Sequence, residues 1–203
     1  LMLRNLMPNK INNVLFGNRS KYGTKIVQND TDWKNWLLFY EKFYFNTQKK
    51  GIGKYINNAG YRVLKKIDFE NKNILELGPG SLPHKHYWKN KPKSYVGIDI
   101  NKNFLEITKN SVECEFKGFV INNENLPNLK SENFDIVLCF YSLEHIHKID
   151  SIIDYFYNIL KKDGLLVGAI PNEGGIFWGI GRQLTSKKFA KEYGNFNFNK
   201  IIC

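Results

Sequence analysis

Glu76, Gly78, Gly80 and Asp99 are the residues whose types and spacing point most directly to chemistry. The first three lie in Asn73-Ile-Leu-Glu-Leu-Gly-Pro-Gly-Ser-Leu-Pro83, and Asp99 ends Val96-Gly-Ile-Asp99, nineteen residues beyond Gly80. Ile74 to Leu77 is a short apolar run bounded by turn formers, as expected of a buried parallel strand. Gly78 and Gly80 then allow a sharp turn and a close backbone approach to a ligand, because no Cβ stands in the way. Asp99 closes a second apolar run, Tyr95 to Ile98. A carboxylate at the end of a neighbouring strand, about 20 residues past a glycine turn, can accept hydrogen bonds from both hydroxyls of a ribose. The pattern therefore predicts a cradle for a nucleoside-bearing cofactor.

The kind of nucleoside follows from the neighbouring residues. A dinucleotide turn carries a third glycine where this chain has Pro83, and it presents a helix N-terminus to a diphosphate. Glu76 would repel a diphosphate and suits a cofactor bearing a positive amino group. S-adenosylmethionine has an ammonium and a sulfonium.

On these residues, and on three further blocks, the chain resembles the class I, Rossmann-like S-adenosylmethionine-dependent methyltransferases of the type 11 kind. Glu76, Gly78 and Gly80 match the family's acid-x-G-x-G-x-G turn, whose last glycine is Leu82 here. Asp99 matches the acid of its second strand, and Asn122-Asn-Glu-Asn-Leu-Pro127 its third-strand signature, with Asn122 where an acid is usual. Phe134 to His145 resembles its F-D-x-V…L-E-H block, and Leu160 to Asn172 its fifth strand and the helix end before it. The resemblance implies cofactor contacts from Glu76, Leu77, Gly78, Gly80 and Ser81 in the turn. It implies others from Asp99 and Ile100 after the second strand, from Asn122, Asn123 and Glu124 after the third, and from Phe140 at the end of the fourth. Methyl transfer to an alcohol also needs a base. His145 is the first candidate, leaving the fourth strand at the ligand end, with His147 and Glu173 on adjacent exits.

Periodicity supplies the elements that would position these groups. Strands are expected at Tyr95 to Ile98, Glu115 to Val120, Phe134 to Phe140 and Leu165 to Ile170, alternating with helices at Lys102 to Lys109 and Ser151 to Lys161. Pro83 fits the first position of a further helix. Such alternation predicts an α/β fold, a doubly wound, mostly parallel sheet with the ligand at the carboxyl ends of its strands. Ahead of it, residues 1–66 read as a basic, aromatic helical extension, and residues 67–203 as the cofactor domain. Thr31 would cap a helix bearing Trp33, Trp36, Tyr40 and Phe43, and Lys54 to Lys66 would form another, with Ala59, Val63 and Leu64 on one face. Only 33 residues follow Ile170, where the resembled family has a sixth and an antiparallel seventh strand, so the sheet is expected to be C-terminally incomplete.

Composition narrows the class. The chain has 203 residues, 42% of them hydrophobic, enough for a sizeable core. Cys114, Cys139 and Cys203 lack ligand spacing, which argues for a reducing, cytoplasmic setting and against a disulfide framework or a zinc site. His84-Lys-His86 is read as a surface turn rather than a metal site. No apolar run reaches 18 residues, so no transmembrane segment is expected. The net charge of +11 is uneven: residues 1–66 hold 13 Lys and Arg against 3 Asp and Glu, and the remainder 17 against 16. This basic start would attract an anionic small-molecule or sugar-type substrate, and the resemblance of residues 169–175 to enzymes of surface polysaccharide synthesis favours a carbohydrate. An RNA methyltransferase is the nearest rival, although no dedicated RNA-binding module is visible. A protein that binds S-adenosylmethionine without catalysis is the second.

Overall fold

The computed structural model describes residues 7–18, 21, 31–32, 35, 58–121, 126–129, 133–143, 146, 148–170, 179–180, 183–184, 187, 191–192 and 197–201. Contacts divide the chain into two compact units, one of residues 57–171 and one of residues 1–56 with 172–203.

The first unit is built on five parallel strands, β1 (Asn73–Leu77), β2 (Ser94–Asp99), β3 (Glu115–Val120), β4 (Phe134–Phe140) and β5 (Leu160–Ala169), in the spatial order β3-β2-β1-β4-β5. Successive side chains of a strand point to opposite faces, so the apolar runs feed two cores. Leu75, Leu77, Val96, Ile98, Val137 and Cys139 pack on one face with Ile152, Phe156 and Ile159. The last three recur at helical spacing on α3 (Ile149–Ile159). On the other face Ile74, Tyr95, Ile136, Leu138 and Phe140 meet Tyr61, Leu64, Phe69 and Leu82. Helix α2 (Lys102–Ser111) joins β2 to β3, and the Asn101 side chain caps it by accepting from Asn103 N–H at 2.9 Å.

The other unit contains α1 (Asn9–Phe16), which follows Pro8, and the short α4 (Phe198–Ile201). Asp32 accepts from Asn197 N–H at 2.8 Å and pairs with Lys200 Nζ at 3.1 Å, tying two distant parts of the sequence together.

Four expectations change. No α-helix begins at Pro83; the crossover makes only a 3-10 turn at Lys85–Tyr87. The cause is His84, which is 1% exposed and hydrogen-bonded inward, so it is no surface-turn residue and the backbone cannot wind away from the sheet. The second expected helix closes as a 3-10 turn, Arg62–Lys66, burying Tyr61 and Leu64 and leaving Val63 exposed. Helix α3 ends at Ile159, because Leu160 already pairs with Phe134, and β5 therefore starts before Leu165. Finally, the sequence division at residue 66 cuts through this packing: Tyr61 and Leu64 belong to the sheet's core, while residues 172–203 group with the N-terminal part. The aromatic stripe from Trp33 to Phe43 lies outside the described residues.

Candidate active site at the carboxyl ends of the strands

The order of the strands reverses direction at β1, which lies between β2 and β4, and the carboxyl end of such a strand is the usual ligand crevice of an open α/β sheet. The Gly78–Gly80 turn occupies this place. Gly78 has φ +73° and Gly80 φ +54°, both in the left-handed region. Gly78 N–H donates to Ile98 O at 2.8 Å, and Thr108 Oγ1 donates to Gly80 O at 3.1 Å, so β2 and α2 fix the turn on one side. On the other, Ser142 Oγ, just past β4, donates to Leu77 O at 2.7 Å. A Cβ at Gly78 would stand 2.8 Å from the Ser142 Cβ. The turn is held in a space that only glycine fits.

Leu82 also has a positive φ, +54°. This is where the resembled turn has its last glycine, so a leucine holds the left-handed backbone at a steric cost of about 1–2 kcal/mol. Its side chain is 4% exposed within the Tyr61, Phe69 and Tyr95 core, which keeps it in place.

Asp99 is buried at the end of β2, with Oδ2 accepting from Gly80 N–H at 3.3 Å and Oδ1 from Asn101 N–H at 2.9 Å. Each oxygen retains a lone pair, so the carboxylate can still accept two hydroxyls. Burial raises its pKa to about 6, with the Glu76 charge adding to the effect and the Asn101 and Gly80 N–H groups opposing it. Ser81 Oγ, beside the turn, is buried with no hydrogen-bond partner in the structure. Ile100, by contrast, is 67% exposed and offers an open apolar surface next to Asp99.

Three other expected cofactor residues present less. Glu76 is 1% exposed, and both its oxygens are engaged: Oε1 accepts from His84 Nε2 at 2.8 Å, and Oε2 from the Tyr95 hydroxyl. Trp88 Nε1–H donates to His84 Nδ1 at 3.0 Å, which fixes the imidazole proton on Nε2. Burial, then the Glu76 charge, pushes Tyr95 well above the ordinary tyrosine pKa. The Phe140 ring packs against Tyr61 and His84, with centroids 5.1 and 5.4 Å away, and Leu77 lies in the opposite core. For these two, the backbone is what faces the strand ends. Asn122, Asn123, Glu124, His145, His147 and Glu173 lie outside the described residues.

Sequence reasoning missed His84, Tyr95, Tyr141 and Ser142. Tyr95 carried a signal, since a tyrosine on a strand buried on both faces needs a partner for its hydroxyl. Tyr141 follows β4 with φ +55°; its N–H donates to Ala169 O at 2.8 Å, and its hydroxyl accepts from Gly60 N–H at 3.3 Å. No pattern in the chain announces that contact across 81 residues. A separate cavity of about 540 Å³ lies at the opposite, amino-terminal ends of the strands, near Lys72, Asp135 and Lys161. Among the described residues, no three His, Cys, Asp or Glu side chains gather as a metal site, and no helix is long and apolar enough to cross a membrane.

Comparison with known proteins agrees with this geometry. Residues 75–168 match the family described as "Methyltransferase domain". Among curated proteins, the chain is 26% identical over 141 residues to a ubiquinone biosynthesis O-methyltransferase of Glaesserella parasuis serovar 5 (strain SH0165), covering 64% of this chain and 59% of that one. It is 29% identical over 109 residues to the protein of the same name from Pelagibacter ubique (strain HTCC1062), covering 51% and 44%. The chain thus spans less than two thirds of the length of these relatives. Among solved structures, the plantazolicin methyltransferase BpumL, in complex with a monoazolic desmethylPZN analog and SAH, superposes with a TM-score of 0.55 at 10% identity, covering 83% of this chain and 69% of that one. The glycine turn and the acid ending β2 lie inside the matched residues, so residues 75–168 are similar to a methyltransferase domain, and the sheet around them has the Rossmann-like fold of the solved structure.

Proposed function

We propose that this chain binds S-adenosylmethionine at the Gly78–Asp99 site and transfers its methyl group to a small-molecule acceptor. The observation that carries the reading is Asp99, a buried carboxylate held by Gly80 and Asn101 N–H groups at the strand ends with capacity for two more hydrogen bonds. The unpartnered Ser81 Oγ fits the same ligand. When bound, this cofactor supplies an electrophilic methyl group on a sulfonium that is a good leaving group. The chain's part is then to align the acceptor and exclude water. Asp99 would hold the ribose and Ile100 cover the adenine side, while Glu76, held by His84 and Tyr95, contributes negative charge from behind the turn. His145 is our candidate base for an oxygen acceptor. An oxygen acceptor agrees with the names of the two curated relatives, and a cytoplasmic setting agrees with Cys114 and Cys139 standing outside any disulfide. A carbohydrate acceptor rests on residues 169–175 alone.

Calorimetric titration with S-adenosylmethionine and S-adenosylhomocysteine, with reduced nicotinamide dinucleotide as control, tests the site. Micromolar binding of the first two alone is expected; binding of the nicotinamide alone would overturn the reading. RNA as acceptor is the second reading, favoured by the basic unit of residues 1–56 and 172–203. Retention on RNA near physiological salt would support it, and its absence would count against it.

A further inference from the structure

Behind the Gly78 turn, one buried carboxylate is held in a way that leaves its charge uncancelled. Glu76 and His84 are each 1% exposed, with Oε1 and Nε2 2.8 Å apart. The pair would be a salt bridge if the imidazole carried a proton on both nitrogens. Trp88 prevents this: its Nε1–H can only donate and meets Nδ1 at 3.0 Å, so Nδ1 must accept and the ring is neutral. The second oxygen of Glu76 accepts from the Tyr95 hydroxyl, which burial and the Glu76 charge keep protonated. Among the described residues no lysine or arginine pairs with Glu76. Two neutral donors therefore hold the carboxylate, and hydrogen bonds to the ionised form are what keep a buried acid charged.

The two donors are themselves fixed by packing. The Tyr61 and Phe140 rings lie 5.2 and 5.4 Å from the imidazole, and Trp88 stacks on Tyr95 with centroids 5.5 Å apart. Glu76 stands two residues before Gly78 and faces Gly97 of β2 in register. Its charge is felt at Asp99, whose ionisation it opposes. An apolar surround screens such a field poorly, so it also acts on whatever occupies the turn. The donor of the methyl-transfer reading bears a positive sulfur. Its spent form bears a neutral one, because the methyl carbon goes to the acceptor while the electron pair of the broken bond stays on sulfur. The two ligands otherwise share every group.

We propose that His84, with Tyr95, is a positioning residue for selectivity: it fixes Glu76 as an uncancelled negative charge that makes the site prefer the sulfonium donor to its thioether product. The inference rests on the methyl-transfer reading, and His84 acts through Glu76. Calorimetric affinities of the full chain for S-adenosylmethionine and S-adenosylhomocysteine are compared as a ratio, because loss of a merely structural support weakens both ligands alike. His84→Ala is expected to lower the preference for the sulfonium roughly tenfold, the scale of one charge in a poorly screened interior. His84→Gln, which keeps a donor for Glu76 and an acceptor for Trp88, should restore much of it. Glu76→Gln should lose the preference while keeping the side chain's volume. Tyr95→Phe removes only a hydroxyl, is expected to lower the ratio in the same direction, and decides the matter if His84→Ala does not fold. Equal weakening of both ligands by His84→Ala or by Tyr95→Phe would overturn the proposal, as would an unchanged preference in Glu76→Gln. A parent chain that binds neither ligand would instead fail the methyl-transfer reading, and this proposal with it.

Discussion

The carboxylate of Asp99, which we propose holds the ribose, also strains the fold. Its pKa in the folded chain is about 6, above the ordinary 3.8, so the folded state favours the protonated form. The sign follows directly: stability falls as pH rises from about 4 to about 6, and the ionised carboxylate costs about 3 kcal/mol above that window. Asp99→Asn is therefore expected to be more stable than the parent at pH 7, with the advantage shrinking towards pH 4, in urea unfolding at both values. The same variant should lose cofactor affinity, and the parent's affinity should itself drop below about pH 6, where the acceptor is protonated. A flat pH profile of binding would place the ribose elsewhere. Leu82 makes the opposite case. Glycine there would relieve about 1 kcal/mol of left-handed strain but remove a buried leucine side chain worth about 3 kcal/mol. Leu82→Gly should thus destabilise by roughly 2 kcal/mol, and a stabilised variant would show that the backbone term dominates.

Between β1 and β2 the chain is organised by a hydrogen-bonded file, Tyr95–Glu76–His84–Trp88, more than by a helix. His84→Ala would leave the buried Glu76 carboxylate with one donor fewer and Trp88 Nε1–H without its acceptor, at an expected cost of about 3 kcal/mol. His84→Gln should recover part of that, and thermal melts of the pair would measure it. At the other end of the sheet, a Cβ at Gly168 would lie 2.1 Å from the Cys139 carbonyl oxygen, a backbone atom that cannot step aside. Gly168→Ala is expected to loosen the β4–β5 ladder by about 3 kcal/mol, seen as faster amide exchange in both strands. These two elements also mark the limit of what the sequence disclosed. β1, β2, β4 and the juxtaposition of the Gly78–Gly80 turn with Asp99 were legible because apolar runs, glycine turns and an acid at fixed spacing are local signals. The missing helix after Pro83 and the roles of His84 and Tyr141 were not, because they depend on partners brought close only by the folded sheet. The same holds for the early start of β5, which tertiary pairing with Phe134 decides.

Across the whole molecule, charge separates as the units do, with a surplus of 10 in the unit of residues 1–56 and 172–203 and of 1 in the other. Self-repulsion on that scale is screened within a Debye length of about 10 Å at 0.1 M salt. The melting temperature is therefore expected to rise by a few degrees between about 0.02 and 0.2 M sodium chloride, and a salt-independent melt would count against the repulsion. The spatial order β3-β2-β1-β4-β5 bears on synthesis as well as on the finished fold. β1 leaves the ribosome first of the five yet lies in the middle, so β2 and β3 can join it before β4 exists. The nascent chain then holds the Gly78 turn from the β2 side alone until Ser142 emerges and closes the other. Ligand capture should consequently appear late, at a definite chain length, and arrested nascent chains ending on either side of Ser142 would differ in it.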